Sequence, residues 1–335
     1  MDCARYRHRI LWILSGLFSI APGPSLIADV GLTSSPPIDS SLPWLVGPLI
    51  APTGVVVPKG HYTIQPFFYI LVNTGMYSPN WRPQSTPNFY NASLQFQGIF
   101  GMTPWMDFQM NPIVLYNNTQ GQSSTCFGDL PLGFDFQLLS DKKCKWFPGI
   151  KLGLIETFPT GKYQKLSPKK LDTDEGGLGS FSTQIDLVFY KVYHLSGLHF
   201  LSMTMALQYT LYAPVHVKGF NSYGGGFKTR GTVYPGTNVT AILSFEYTFN
   251  KNWVFSIDNV YLHSNKTRFS GNPGFTDSGS QAIVGNPSLE QLSFAPAIEY
   301  SFNANWGIIA GSWFSAAGRN ALVFQSGIIS FMYSH

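Results

Sequence analysis

Apolar and polar side chains alternate along residues 128–139, GDLPLGFDFQLL, and this alternation constrains the fold more than any other feature of the chain. The apolar set is Leu130, Leu132, Phe134, Phe136 and Leu138, and the polar or small set is Asp129, Gly133, Asp135 and Gln137. Successive side chains of a β-strand point to opposite faces. The segment therefore predicts a strand with one apolar face and one polar face.

The same period of two recurs through most of the chain. In 238–249, for example, Leu243 and Phe245 face away from Ser244 and Glu246. The pattern predicts twelve strands, at 60–73, 91–102, 104–116, 128–139, 148–158, 178–192, 201–211, 238–249, 252–263, 290–303, 305–315 and 320–334.

The composition indicates which environment faces the apolar side of these strands. Charged residues make up 11% of the chain and aromatic residues 16%, whereas soluble domains carry about 25% charged residues. A soluble barrel or sandwich would bury its apolar faces and would need charges on its outer surface. A transmembrane barrel shows apolar and aromatic side chains to lipid and polar ones to its lumen, so the composition favours the membrane. The net charge of +4, with no basic stripe, argues against nucleic acid as a partner.

The connections between the predicted strands alternate in length. Long loops are predicted at 74–89, 117–127, 159–177, 213–236 and 264–289, and short turns or links near 103 and at 141–147, 192–197, 250–252 and 303–305. Short periplasmic turns and long extracellular loops are typical of outer-membrane barrels. The expected fold is an all-β, antiparallel up-and-down transmembrane barrel of about twelve strands.

The N-terminus is typical of an exported protein. Three arginines precede the apolar run 10–21, and small residues follow near Ala28, so residues 1–28 are predicted to be a signal peptide. A retained membrane anchor is the alternative, but the run is shorter than the roughly 20 residues that a spanning helix needs. Residues 29–59 are predicted to be an extended periplasmic segment, and residues 60–335 the barrel.

The polar faces of the predicted strands carry the candidate lumen-lining residues. These are Asp107, Gln109, Asp129, Asp135, Gln137, Gln184, Asp186, Gln208, Glu246, Asp258 and Glu299. Two interpretations fit them. In an open lumen, acidic rings would favour cations or polar solutes. In a narrow barrel, the same groups would hydrogen-bond their neighbours and plug the interior.

Two of the predicted loops also admit two interpretations each. Loop 159–177 places four lysines before Asp172, Asp174 and Glu175. It is expected to be a solvated loop, with a site for anionic headgroups or cations as the alternative. Loop 213–236 contains Gly224–Gly226, and a flexible tip or an inward-folded constriction would both fit this sequence.

No catalytic motif emerges from the sequence. The GxSxG elbow, the HExxH zinc pair and the CxxC pair do not occur. We therefore expect no enzymatic activity, and we predict no catalytic, cofactor-binding or metal-binding residue and no cofactor.

Three segments resemble a known outer-membrane family, labelled meta-pathway of phenol degradation. They are KGHYTIQPFF at 59–68, GDLPLGFDFQLL at 128–139 and PGIKLGLIETFPTGKY at 148–163, and the resemblance extends over about 45–335. It implies a transporter-like β-barrel that moves small, often hydrophobic compounds. It supplies no site residues.

The resulting hypothesis is a channel or transporter in the bacterial outer membrane for passive passage of small solutes. Its expected partners are outer-membrane lipids, the barrel-insertion machinery and the solute. The insertion signal departs from the usual terminal Phe, because the chain has Phe331 and Tyr333 and then ends at His335. The alternative is a non-conducting surface protein whose long loops bind host or envelope partners.

Overall fold

The computed structural model describes residues 44–141 and 147–335, which fold as antiparallel β-strands. The predicted signal peptide lies outside these residues. The strands are β1 (Tyr62–Tyr77), β2 (Pro83–Thr103), β3 (Met106–Met110), β4 (Ile113–Thr119), β5 (Gln122–Phe127), β6 (Leu130–Leu139), β7 (Gly149–Phe158), β8 (Ser182–Ser196), β9 (His199–Tyr212), β10 (Val215–Lys218), β11 (Arg230–Tyr234), β12 (Asn238–Thr248), β13 (Trp253–Ser264), β14 (Arg268–Asn272), β15 (Leu289–Ser301), β16 (Trp306–Arg319) and β17 (Leu322–Ser334).

Fourteen of these strands form a barrel wall with twelve strand positions. β3 and β4 share one position, and both pair with β2 on either side of Asn111–Pro112. β5 and β6 share the next position, with a break at Gly128–Asp129. Pro112 has no N–H to donate to a ladder, which accounts for the first break.

The sheet closes because the first strand pairs with the last. β1 and β17 run antiparallel from Thr63–Ser334 to Met76–Leu322. Closure satisfies the backbone of both edge strands, which is the condition for spanning a bilayer with strands. The prediction of a twelve-stranded antiparallel up-and-down barrel is confirmed.

Two of the predicted long loops are instead strand extensions. β1 and β2 continue to a turn at 78–82, and β4 and β5 form a hairpin that turns at Gln120 and Gly121, both with positive φ. Residues 83–88 are mostly exposed on both faces, so their sequence shows no alternation that predicts a strand.

The outer surface is apolar and carries aromatic side chains at both ends of the wall. Near the short turns these are Trp105, Phe136, Tyr193, Tyr247, Trp253, Tyr300, Trp306 and Tyr333, and toward the long loops they are Tyr90, Tyr116, Phe158, Phe181, Tyr209 and Tyr261. On β13, Trp253 and Tyr261 are separated by about 27 Å of extended strand. Two aromatic girdles around an apolar band are the surface of a membrane-spanning barrel.

The long loops pack over one end of the barrel. β10, β11 and β14 form a small three-stranded sheet there, between the loops 213–237 and 265–288. Leu178, Val215, Val217, Tyr223 and Val233 form its buried apolar cluster. Within the described residues, no helix is long and apolar enough to cross a membrane.

Candidate functional site

The barrel interior is the candidate functional site, because the predicted polar residues all turn toward it. Asp107, Gln109, Asp135, Gln184, Asp186, Gln208, Glu246, Asp258 and Glu299 are buried, while Asp129 and Gln137 are partly buried. The structure separates them into a polar row on one wall, a set that contacts the N-terminal segment, and Asp129 below the loops. Glu246 stands apart from these groups and accepts the Ser202 hydroxyl over 2.8 Å.

The polar row crosses five neighbouring strands, β3, β6, β7, β8 and β9. The register aligns Asp107 with Asp135, Asp135 with Gly153, and Gly153 with Asp186, and Asp186 with Gln208 on the next strand. Because Gly153 has no side chain, Asp135 and Asp186 lean over it from both sides.

One ammonium group and three side-chain amides donate hydrogen bonds to the carboxylates of this row. Lys151 Nζ lies 2.8 Å from Asp135 Oδ2 in a fully buried ion pair. Gln109 donates to Asp135 over 3.2 Å, and Gln184 and Gln208 donate to Asp186 over 3.1 and 3.2 Å. A buried charge is costly unless it is paired and hydrogen-bonded, so these partners offset part of the cost of burying the row.

Residues 44–58, which we call the plug, lie inside the barrel at its short-turn end. Residues 44–59 were predicted to belong to an extended periplasmic segment, but the plug instead contacts inward-facing groups from both sides of the barrel. Leu49 and Ile50 are at most 1% exposed. Trp44 N–H donates to Lys251 O in a short turn, over 3.1 Å. Pro58 reaches the opposite wall at Gly101, where any Cβ would lie 1.9 Å from its carbonyl oxygen.

Three wall carboxylates hold the plug through its backbone. Glu299 Oε2 accepts the N–H groups of Val46 and Gly47 over 2.8 and 3.0 Å. Asp258 Oδ2 accepts those of Ile50 and Ala51 over 2.6 and 3.4 Å. Asp107 Oδ2 accepts Val57 N–H over 2.7 Å. Each bond gives a buried backbone N–H of the plug an acceptor that it would otherwise lack, so these contacts anchor a segment that has no regular secondary structure.

Gln137 holds the plug with both ends of its amide. Its Oε1 accepts Val56 N–H over 3.0 Å, and its Nε2 donates to Gly54 O over 3.3 Å. Sequence reasoning placed Gln137, Asp107, Asp258 and Glu299 on the inward face but missed what they bind. The plug shows no regular alternation of apolar and polar residues. The one signal in the sequence is that the inward faces carry many acidic residues and one lysine, which indicates that another part of the chain donates hydrogen bonds to these carboxylates.

Asp129 has the corresponding role at the long-loop end. Its two oxygens accept Gly161 N–H over 2.9 Å and Leu178 N–H over 2.7 Å, which draws loop 159–181 inward. Asn117 donates from the wall to Thr173 O and Glu175 O over 3.1 and 3.2 Å. Loop 159–177 was expected to be solvated, but its acidic half is buried. Burial, followed by the charge of Asp172, raises the pKa of Glu175 well above its ordinary value, although a hydrogen bond from Ser222 opposes the shift.

Loop 213–237 is also folded rather than a free tip. Tyr223 is 1% exposed, and Gly225 N–H donates to Ile283 O of the neighbouring loop over 2.8 Å. Of the two alternatives from the sequence, the inward-folded one agrees with this packing.

A cavity lies beneath these loops, at the outer end of the barrel. It holds about 680 Å³ of empty space, part of which is open to solvent. Its lining combines apolar side chains with amides and hydroxyls: Met76, Leu178, Tyr212, Pro235, Gly236, Asn238, Leu262, Ser264, Asn265, Thr267, Asn286, Pro287, Leu289 and Asn320. An apolar wall with a few polar groups is the usual lining of a small-molecule site.

An apolar layer continues from the cavity to the plug. One contiguous cluster contains Met76, Leu262 and Leu289 of the cavity and Val46, Leu49 and Ile50 of the plug. Between them it includes Tyr69, Leu71, Val188, Ala206, Ile242, Val260, Ala295, Ala297, Ile309, Trp313, Phe324 and Ile328. The interior is therefore polar on the side of β3–β8, whereas the side of β13–β17 and β1 carries most of the apolar cluster beside polar residues such as Gln65, Asp258 and Glu299.

The described residues contain no group of three or more His, Cys, Asp or Glu side chains arranged to hold a metal ion.

Solved structures share this fold. No family model and no curated protein matches the chain, so the resemblance to the phenol-degradation family stays a prediction. An outer-membrane channel from Pseudomonas putida F1 is similar with a TM-score of 0.61 and 11% identity, over 84% of this chain and 97% of that one. The β domain of the Bordetella autotransporter BrkA scores 0.45 at 8% identity over 82% and 98%, and a TodX monoaromatic hydrocarbon channel variant scores 0.42 at 11% identity over 83% and 91%. The last two scores are too low to support an inference.

Fold and surface together define the class of protein. The closed twelve-stranded sheet, the apolar band with two aromatic girdles and the similarity to the Pseudomonas barrel are those of a bacterial outer-membrane β-barrel.

Proposed function

We propose that this protein is a passive outer-membrane channel for small, mainly apolar solutes, and that the plug is its gate. The observation that carries the proposal is the apolar layer that joins the outer cavity to the plug. A polar solute would gain little from these side chains, whereas an apolar solute would exchange water for hydrocarbon contact along this route. The fold shared with the Pseudomonas channel supports a role in passage rather than catalysis.

The polar wall has a structural role in this proposal. Its carboxylates are occupied by Lys151, by glutamine amides and by the plug backbone. The predicted lumen-lining residues thus act as fixed anchors, and the solute passes along the apolar side. Membrane lipid surrounds the aromatic girdles, and the insertion machinery that recognises the C-terminal strand remains an expected partner.

A reversible crosslink tests the gate. A Cβ on Gly307 of β16 would lie 3.5 Å from Val46 Cβ of the plug, which is within the range of a disulfide. The variant carries Val46→Cys and Gly307→Cys, with the native cysteines replaced by serine. Uptake of N-phenyl-1-naphthylamine, a fluorescent apolar dye, is measured in cells with an intact lipopolysaccharide layer.

We expect the oxidised variant to lose dye uptake and to regain it on reduction, while each single-cysteine variant responds to neither treatment. Equal uptake in the oxidised and reduced states would exclude the plug as the gate. Uptake no higher than in vector-only cells, with a folded unlocked protein, would contradict the channel. It would favour the alternative of a non-conducting surface protein whose loops bind partners.

A further inference from the structure

Trp313 occupies the middle of the apolar layer. It is 2% exposed and is the largest fully buried side chain among the described residues. On the same strand, Gly307 adjoins Val46 of the plug. Asn320, the first residue after the strand, lines the outer cavity. Six or seven extended residues separate Trp313 from each of these positions, which is about 20 Å of strand.

A single hydrogen bond and one ring contact hold the indole in place. Its Nε1–H donates to Ser293 Oγ on the neighbouring strand β15, over 3.0 Å. Phe324 on the other neighbour, β17, packs edge-on against it with ring centroids 5.1 Å apart at 77°. Both contacts are side chain to side chain, so the indole can leave them while the strand stays in place.

The wall is irregular around this position. The register of β15 against β16 shifts between Leu292 and Ser293, and regular pairing then stops after Phe294–Phe314 and resumes at Ala297–Gly311. Pro296, which has no N–H to donate, lies in the gap. Bulges and breaks in the hydrogen-bond ladder change the direction in which a side chain points, and they are common beside functional sites.

Small residues neighbour the indole on the inner face. Ala295 and Ala297, the inward residues of β15 that follow Ser293, belong to the same buried cluster. They carry only a methyl group each, so they offer little resistance to an indole that turns away from Ser293.

From this geometry we infer that Trp313 sets the size limit for solutes moving between the outer cavity and the plug, and that the Ser293 hydroxyl holds it in the closed position. The inference rests on the proposed function and adds a specificity-determining residue to it. The solute class is apolar molecules whose fused ring systems contain at most two rings, since larger fused systems would be blocked by the indole.

The test compares two dyes in cells with an intact lipopolysaccharide layer. N-phenyl-1-naphthylamine is the small probe, and Nile red, with its larger fused ring system, is the large one. Trp313→Ala should raise the Nile red to N-phenyl-1-naphthylamine uptake ratio by roughly tenfold, which corresponds to about 1.4 kcal/mol in the barrier to passage. Trp313→Phe and Ser293→Ala should raise it less.

Phe314→Ala is the matched control, because Phe314 is the next residue on β16 and points to the outer surface. It should leave the ratio unchanged. An unchanged ratio in folded Trp313→Ala, with wild-type uptake of the small dye, would overturn the role of Trp313 alone. If Trp313→Ala does not give a heat-modifiable barrel, unchanged ratios in both Trp313→Phe and Ser293→Ala would overturn it. Uptake of neither dye by wild type or any variant would overturn this inference together with the channel.

Discussion

Glu299 illustrates how single residues hold the gate. One carboxylate oxygen accepts two consecutive backbone N–H groups from the plug, and the carboxylate is buried. The contact uses backbone rather than side chains, so it holds the plug without requiring a particular residue at Val46. Its strength depends instead on the acceptor oxygen of the Glu299 side chain.

Removing this acceptor should loosen the plug. We expect Glu299→Ala to weaken its retention by about 2 kcal/mol, because two buried backbone N–H groups then lack an acceptor. Maleimide labelling of Ala51→Cys, in a background without native cysteines, measures exposure of the plug. Glu290→Ala, on the same strand but paired with Arg319 outside the plug site, is the control and should not change labelling. Equal labelling of the two variants would contradict the latch.

Two residues on opposite faces of β6 should respond differently to substitution by arginine. Phe134 is 41% exposed on the outer face, whereas Gln137 bonds the plug. Phe134→Arg at mid-bilayer should cost about 2–4 kcal/mol of barrel stability, while Gln137→Arg should leave the barrel folded and disturb only the plug. Heat-modifiable gel mobility across a urea series measures both, and equal folding defects would refute the assignment of faces.

At the scale of elements, the strands and the loops differ in what determines them. The strands are specified by their own alternation, which is why β12 and β13 lie where the pattern predicts them. Loop 159–181 has no such pattern, and its inward course depends on partners from β4 and on Asp129. The β4–β5 hairpin also lacks a clear alternation. Because many of its residues are polar, the sequence predicted a loop there.

Packing of loop 159–181 should depend on pH through Glu175. Burial raises the pKa of Glu175, so the packed loop binds more protons than the open loop above the ordinary glutamate value. Glu175 therefore contributes its full stabilisation of the packed loop below the ordinary pKa of glutamate, and this contribution is lost as pH rises through the raised pKa. Hydrogen exchange of 159–181 should be faster at pH 8 than at pH 5, beyond the intrinsic rate change.

Glu175→Gln should remove this pH dependence, because the amide does not titrate. The matched control is Asp277→Asn in the exposed part of a neighbouring loop, which should behave as wild type. A pH dependence that persists in Glu175→Gln would assign the effect to another group.

At the scale of the whole molecule, the interior is closed at two separate ends. Glu299 and Asp258 hold the plug at the short-turn end, and Asp129 holds the loops at the other. The two closures share no direct hydrogen bond, so they should act independently. Distant sites without shared partners usually add within about 0.5 kcal/mol.

A double-mutant cycle measures this independence. Asp129→Asn should increase hydrogen exchange in loop 159–181 without increasing maleimide labelling of Ala51→Cys. Combined with Glu299→Ala, the two effects should add. Labelling that rises in Asp129→Asn alone would show that the closures are coupled through the apolar layer.

The sequence by itself determined the wall of this protein, because strand alternation is local: Phe134 and Asp135 must face opposite ways, and twelve such segments with few charges suit a membrane barrel. It also placed Asp107, Asp258 and Glu299 on the inner face. Only the tertiary structure decided what those carboxylates bind, because Val46, Ile50 and Val57 are distant in sequence and meet them only after the barrel closes. The course of the plug, the burial of Glu175 and the position of Trp313 between cavity and plug depend on the same long-range closure, which no local period encodes.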